Sequence, residues 1–289
     1  MLQTIAELRR NGASDREIQK VRSGVKLHQG IYTQEAADEW QRFELRSQAA
    51  LLRLKEGAAL AGPAAARHWG LPLVGDAPST IHVRGVRRGR YAKEVRVVSG
   101  GSAELVEHAG FQVTTAAWTV VDCARLLPLR DALIIADSAL QQELCTLADL
   151  QAACAALGKA KGVAGVRWVI ANADPRSESP GETWMRMVCR ELGYPVTSQV
   201  VVDVDGHRYR LDLVIDGTMI ALEFDGAVKY GSDPARTVLA EKRRQAQIER
   251  LGYRVLRVVW DQLADPARLD QRIRSALGDA TIHRRHGAR

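Results

Sequence analysis

None of the four cysteines in this 289-residue chain (Cys123, Cys145, Cys154 and Cys189) forms a CxxC pair. Neither a zinc knuckle nor a disulfide framework is therefore expected. The seven histidines contain no HExxH motif, which removes the commonest zinc-hydrolase signature. No GxxxxGK[ST] loop is present to cradle a nucleoside triphosphate, and no GxSxG elbow to raise a serine nucleophile. No stretch approaches the roughly 20 apolar residues of a membrane span. The opening MLQTIAELRR carries Glu7 and two arginines with no apolar run behind them, so it does not read as a signal peptide. Aromatic residues make up only 5% of the chain, and its six tryptophans sit at helical spacing, as packing residues rather than base-stacking platforms. No internal repeat occurs. These absences point to a cytoplasmic chain with reduced thiols and no membrane partner.

What is present supports more than one folded core. Hydrophobic residues reach 46% and charged residues 26%, and the length exceeds one ordinary domain. Lys and Arg number 41 against 34 Asp and Glu, a net charge of +7 that suits a polyanionic partner without specifying one. Residues 1–35 read as a small basic unit. A helix over 3–10 stops at Asn11-Gly12, and S-D-R-E from Ser14 to Glu17 is a capping box for a second helix running to Arg22. A hairpin over Val25–Tyr32 follows. Two short helices and a basic hairpin make a winged helix-turn-helix candidate, with Arg16, Lys20, Arg22 and Lys26 as DNA contacts.

Residues 36–55 read as an amphipathic linker helix within an α/β segment over 36–156. Strands are predicted at Thr80–Val83 and Val95–Val98, and helices at Trp118–Leu127, Arg130–Gln142 and Leu147–Ala156. Between the strands, RGVRRGRYAKEVR over 84–96 holds six cations and one acid. Arg84, Arg87, Arg88, Arg90 and Lys93 there suit a loop lying against phosphates, or a solvated hairpin tip. Residues 157–174 read as a linker. From 175 an α-β-β-β-α-β pattern begins: a helix over Ser179–Leu192, strands over Gln199–Val204, His207–Ile215 and Thr218–Asp225, a helix over Pro234–Leu251, a strand over Tyr253–Val259 and a final helix over Pro266–Leu277. Asp205-Gly206 and Asp216-Gly217 are strong hairpin signals.

If Asp216-Gly217 is a two-residue loop, Asp212 faces Ala221 and Glu223 faces Arg210. Period-two alternation then sets Asp212, Glu223 and Asp225 on one side of the sheet, with Asp212 and Glu223 on a diagonal roughly 5–8 Å apart at Cβ. Leu211, Leu213, Leu222 and Phe224 fall on the other side. Carboxylates so gathered suit Mg²⁺ or Mn²⁺; the competing reading is that Arg208 and Arg210 neutralise them. Glu182 stands at the third position of a helix opened by Ser179-Pro180, where a capping box accounts for it, though its carboxylate can also turn toward the sheet.

SPGE, RLDLVI, LEFDG, the EKRR-containing helix and GYRVLRV together resemble the PD-(D/E)XK nuclease superfamily, in particular its very-short-patch-repair-like domain of unknown function, over about 175–278. AGPAAARHWGLP and TTAAWTVVDCARLL make residues 1–155 similar to the AbiEi-type antitoxin. The resemblance implies an α/β (α+β) multidomain chain: an N-terminal winged helix-turn-helix, a middle α/β domain, and a restriction-endonuclease-like αβββαβ domain over 175–289. It implies a Mg²⁺-dependent DNA endonuclease in defence, toxin-antitoxin function or repair, with Asp212 and Glu223 as metal ligands and a toxin or a second copy as further partner. The family's lysine two positions after the second acid is here Asp225, and Lys229 or Lys242 would have to supply the cation. The alternative is an antitoxin-like regulator whose nuclease fold no longer cuts; RNA is a third possible substrate.

Overall fold

The computed structural model describes residues 2–34, 38–54, 57–86, 93–226 and 243–286. The loop arginines Arg87, Arg88 and Arg90, and both candidate lysines, Lys229 and Lys242, lie outside the described residues. The chain divides into two compact units, residues 1–173 and 174–289. No helix among the described residues is long and apolar enough to cross a membrane.

The first unit opens with a three-stranded sheet of order β1-β3-β2, formed by β1 (Gln3–Thr4), β2 (Val25–His28) and β3 (Ile31–Thr33), and two helices, α1 (Ile5–Arg10) and α2 (Asp15–Arg22). The helix expected over 3–10 starts two residues late because the Thr4 side chain caps it by accepting the Glu7 amide at 3.1 Å. That frees Gln3 and Thr4 to pair with β3. The Ser14–Glu17 capping box forms as read, and Ile5, Ile18 and Val21 make the small core.

Helix α3 (Glu39–Leu51) leads into a five-stranded sheet of order β6-β5-β4-β8-β7: β4 (Ala59–Leu60), β5 (Ile81–Arg84), β6 (Val95–Val97), β7 (Leu105–His108) and β8 (Phe111–Thr114). Helices α4 (Gly62–His68), α5 (Ala116–Leu126), α6 (Leu129–Gln141), α7 (Leu147–Leu157) and α8 (Val163–Asn172) complete the unit. The β7–β8 hairpin went unread because Ala109, not Gly or Asn, opens its turn at φ 46°. Helix α8 packs against α5, α6 and α7, so the stretch read as a linker is largely a packed helix.

Arg84 does not lie on a DNA-facing loop. It ends β5 with its side chain buried, and it grips the fully buried Asp122 of α5 through Nε to Oδ2 at 2.7 Å and Nη2 to Oδ1 at 2.6 Å. Its Nη1 donates to the Gly100 carbonyl at 2.9 Å, and its guanidinium lies 5.0 Å from the Trp118 ring centre. A charge engaged on all sides in this way is taken out of any phosphate interface. Arg125 adds a second cation to Asp122 at 3.2 Å.

The second unit is a four-stranded sheet of order β12-β11-β10-β9, built from β9 (Val196–Val204), β10 (His207–Ile215), β11 (Ile220–Phe224) and β12 (Arg254–Val258). Only β11 and β12 run parallel. Helix α9 (Pro180–Glu191) and helix α12 (Pro266–His286) cover one face, where Met185, Val188, Leu269 and Ile273 pack on Leu213, Leu222 and Val258. The helix over 243–250, α10, covers the other through Ile248. A short α11 (Trp260–Leu263) joins β12 to α12. The last helix continues past Leu277 to His286, since a single Gly278 weakens a helix by about 1 kcal/mol without ending it.

Candidate active site

Two irregularities in the sheet shape the site. Asp216-Gly217 does turn the chain, with the Thr218 amide donating to the Ile215 carbonyl at 3.1 Å, but the strand does not resume at once. The Thr218 hydroxyl accepts the Ile220 amide at 3.1 Å and keeps two more residues out of the ladder. Leu213 consequently pairs with Leu222 and Val214 with Ala221. Because this shift is by an even number of residues, the acids stay on a common side. One step further along the same register, Asp212 stands directly opposite Glu223, not on the expected diagonal.

The second irregularity is a reversal of sidedness. Tyr209 and Leu211 pack with Ile248, whereas Leu213 and Ile215 pack under α9 and α12, although the four lie two residues apart and would share one face of a regular strand. Leu211 thus leaves the face expected to hold all of Leu211, Leu213, Leu222 and Phe224. The ladder between β9 and β10 is continuous except at Asp212, which falls opposite Gln199. Gln199 takes φ 55°, a backbone region that costs a non-glycine residue on the order of 1–3 kcal/mol and that gathers at functional sites. Gln199, Asp212 and Glu223 therefore form a row across three adjacent strands, at the point where the sheet changes face.

Each side chain in this row is held. Asp212 Oδ2 accepts the Phe224 amide at 2.9 Å, replacing a ladder bond. Burial, with the neighbouring carboxylates of Glu182 and Glu223, pushes the Asp212 carboxyl up to about 6, against the smaller opposing pull of the Phe224 amide and Arg244. Glu182 is buried in the first turn of α9. Its Oε1 accepts the Ser179 hydroxyl at 2.8 Å, while Oε2 accepts the Glu178 amide at 3.0 Å and Gln199 Nε2 at 2.7 Å. A single carboxylate thus both fastens the helix start and reaches the sheet. Gln199 Oε1 is left buried with no hydrogen-bond partner among the described residues.

Glu223 is buried and gripped by Arg244 of α10, through Nη1 to Oε2 at 3.0 Å and Nη2 to Oε1 at 2.6 Å. Nη2 also donates to the Arg210 carbonyl at 2.9 Å. The counter-charge therefore comes from Arg244, not from the strand arginines: Arg208 is exposed and Arg210 pairs with Glu178. Asp225, in the position where the family carries lysine, points its carboxylate toward Arg257 at 3.9 Å. Neither Gln199 nor Arg244 was singled out from the sequence. Arg244 was detectable, because it lies one helical turn before the inward Ile248. Gln199 was not, because nothing in TSQVVVDV announces a left-handed residue.

The donors at this point are all oxygens, the chemistry that suits Mg²⁺ or Mn²⁺. Asp212 and Glu223 offer two carboxylates and Gln199 an unused amide oxygen, which fits an ion that keeps several waters and needs only one or two protein carboxylates. Among the described residues no group of three or more His, Cys, Asp and Glu side chains is gathered closely enough to hold an ion.

Glycine in the SPGE segment has a direct reason. A Cβ on Gly181 would lie 2.1 Å from Phe224 Cε1. Gly181→Ala is therefore expected to push Phe224 aside and disturb the amide that Asp212 accepts, costing on the order of 1–3 kcal/mol as an overpacked contact. Thermal melting measures the loss, and an unchanged melting temperature would contradict this contact.

No family model matches the chain. Two curated proteins of Mycobacterium tuberculosis, Uncharacterized protein Rv2248 and Uncharacterized protein MT2308, are each 29% identical over 184 residues, covering 62% of this chain and 67% of theirs. Among solved structures, the catalytic domain of the homing endonuclease I-Bth0305I matches at 22% identity over 35% of this chain and 95% of its own, with a TM-score of 0.28. A match of that score supports no functional conclusion.

The remaining candidates fall in the first unit. Arg16, Lys20 and Arg22 are exposed on α2 and Lys26 on β2, while Lys93 is exposed just before β6.

Proposed function

We propose that the second unit hydrolyses phosphodiester bonds of DNA with a divalent metal ion, Mg²⁺ or Mn²⁺, and that the basic first unit holds the nucleic acid. The observation that supports this reading is the row of Gln199, Asp212 and Glu223 across a broken ladder, with a carboxyl pushed up by burial and then by its acidic neighbours, and an unused buried oxygen beside it. Asp212 and Glu223 would hold the ion, with Gln199 Oε1 completing the ligand set. When bound there, an ion of this kind supplies an activated water and positive charge for the leaving oxygen. Glu182 fixes the Gln199 side chain, and the Phe224 amide fixes the Asp212 carboxylate. Nicking of supercoiled plasmid by purified protein in Mg²⁺, abolished by EDTA, is the expected result. Intact plasmid under both conditions would remove the reading.

For the first unit, exposed cations on α2 favour phosphate contact. Binding to duplex DNA is expected to weaken steeply with salt, and Lys20→Ala is expected to lower the log–log salt slope by about 1. A slope unchanged by that substitution would take α2 out of the interface.

One observation favours a second reading. The hold of Arg244 on Glu223 already neutralises one of the two acids, as expected of a regulator that keeps the nuclease fold for binding alone. Duplex binding without nicking, unaltered by Asp212→Asn, would select it.

A further inference from the structure

Among the described residues three arginines fork a carboxylate: Arg176 does so on Asp174, two residues away in the chain, whereas Arg84 on Asp122 and Arg244 on Glu223 join distant elements and differ in exposure. Arg84 and Asp122 have side chains 5% and 0% exposed, and Arg84 is fastened further by the Gly100 carbonyl and the Trp118 ring. Arg244, also fastened by the Arg210 carbonyl at 2.9 Å, has a side chain 26% exposed while its partner Glu223 is 9% exposed. The first pair has no way out of the core. The second is a buried acid covered by a guanidinium that borders solvent.

Arg244 occupies both oxygens of the acid that an ion would need. A divalent cation on Glu223 and the guanidinium on the same carboxylate would stand a few ångströms apart, and like charges so placed in a half-buried site repel strongly. A phosphodiester presents two non-bridging oxygens that share one negative charge, and arginine grips such a pair bidentately as it does a carboxylate, so the two compete for the same guanidinium. Asp225 cannot serve as a counter-cation, and its carboxylate is turned toward Arg257.

We propose that Arg244 is a displaceable internal counter-cation: it covers Glu223 until a nucleic-acid phosphate draws it off, so that phosphate binding and ion binding reinforce each other. The inference rests on the reading of the site as an ion-dependent hydrolase and assigns that site its order of assembly. Substrate uncovers a ligand and the ion then binds more firmly, which restrains hydrolysis of small phosphates and water-exposed backbones that cannot engage Arg244. By reciprocity the ion must tighten duplex binding by the same factor.

The test is Mn²⁺ binding to the full chain, measured by electron paramagnetic resonance with and without a short phosphorothioate DNA duplex that resists turnover. For the wild type the duplex is expected to tighten Mn²⁺ about tenfold, within the usual range of such couplings. Arg244→Gln is expected to bind Mn²⁺ about tenfold more tightly than wild type with no duplex present, and to lose most of the duplex effect. Arg244→Lys, which keeps the charge but not the fork, should lie between them and serves if the glutamine variant does not fold by thermal melting. A structural role predicts the opposite sign: looser Mn²⁺ binding and a lower melting temperature. The proposal is overturned if Arg244→Gln binds Mn²⁺ no more tightly than wild type, or if the duplex tightens Mn²⁺ equally in both, and in either case wild-type ion binding and nicking stand. If the wild type binds no Mn²⁺ under either condition, the hydrolase reading itself falls and this inference with it.

Discussion

Asp212→Asn is expected to abolish ion-dependent hydrolysis and, at the same pH, to make the protein more stable. The two effects share a cause. Burial and the carboxylates of Glu182 and Glu223 hold the folded-state carboxyl at about 6, above its ordinary 3.8. Between those values the folded chain keeps a proton that the unfolded chain has released, so stability falls as pH rises from about 4 to about 6 and stays lowered above that window. A shift of this size corresponds to at most about 3 kcal/mol, and less for a half-buried group that water partly screens. Asparagine still offers an oxygen to the Phe224 amide but never ionises. The variant should therefore melt several degrees higher than wild type at pH 8 and at the same temperature at pH 4. Losing a metal ligand removes several kcal/mol of transition-state stabilisation, so nicking should fall at least about a hundredfold. Equal melting temperatures at pH 8 would show that Asp212 is burdened neither by burial nor by its neighbours.

The second large effect is structural. Arg84→Ala strips the fork from Asp122, which has no exposure to water, and leaves Arg125 as its remaining cation among the contacts described above. Breaking a buried ion pair from one side typically costs about 3–5 kcal/mol, a large share of the 5–15 kcal/mol that holds an ordinary domain together. Denaturant unfolding of Arg84→Ala should show that loss. Replacing both partners, as Arg84→Met with Asp122→Leu, should recover part of it, because the Asp122 charge is no longer stranded while Arg125 keeps the Ser99 and Lys161 carbonyls but loses its carboxylate. If Arg84→Ala instead left stability intact and weakened DNA binding, the side chain would belong to the phosphate-facing loop that the sequence alone suggests.

Arg84 and Arg244 mark how far the sequence could be read. The cation count of 84–96 is correct, but composition does not distinguish a residue on a strand facing a helix from one on a loop tip. The buried Asp122 that captures Arg84 lies 38 residues away, outside any local pattern. The C-terminal elements were legible because Asp-Gly turns, Gly-terminated helices and alternating strands are local signals. The register of β10 and β11 was not, since it depends on the Thr218 hydroxyl holding two residues out of the ladder. Even so, the shared side of Asp212 and Glu223 survived, because a two-residue shift preserves parity. Gln199 and Arg244 owe their places to long-range packing: the former to a backbone reversal, the latter to a helix laid across the sheet by Ile248.

The central claim is that Asp212 and Glu223 jointly hold a divalent ion. Calorimetric titration of Mn²⁺ into the wild type, Asp212→Asn and Glu223→Gln at pH 8 tests it most directly. One saturable site in the wild type, lost in both variants while their folds persist by circular dichroism, is the expected result. No binding heat in the wild type, or equal binding in all three, would contradict the claim.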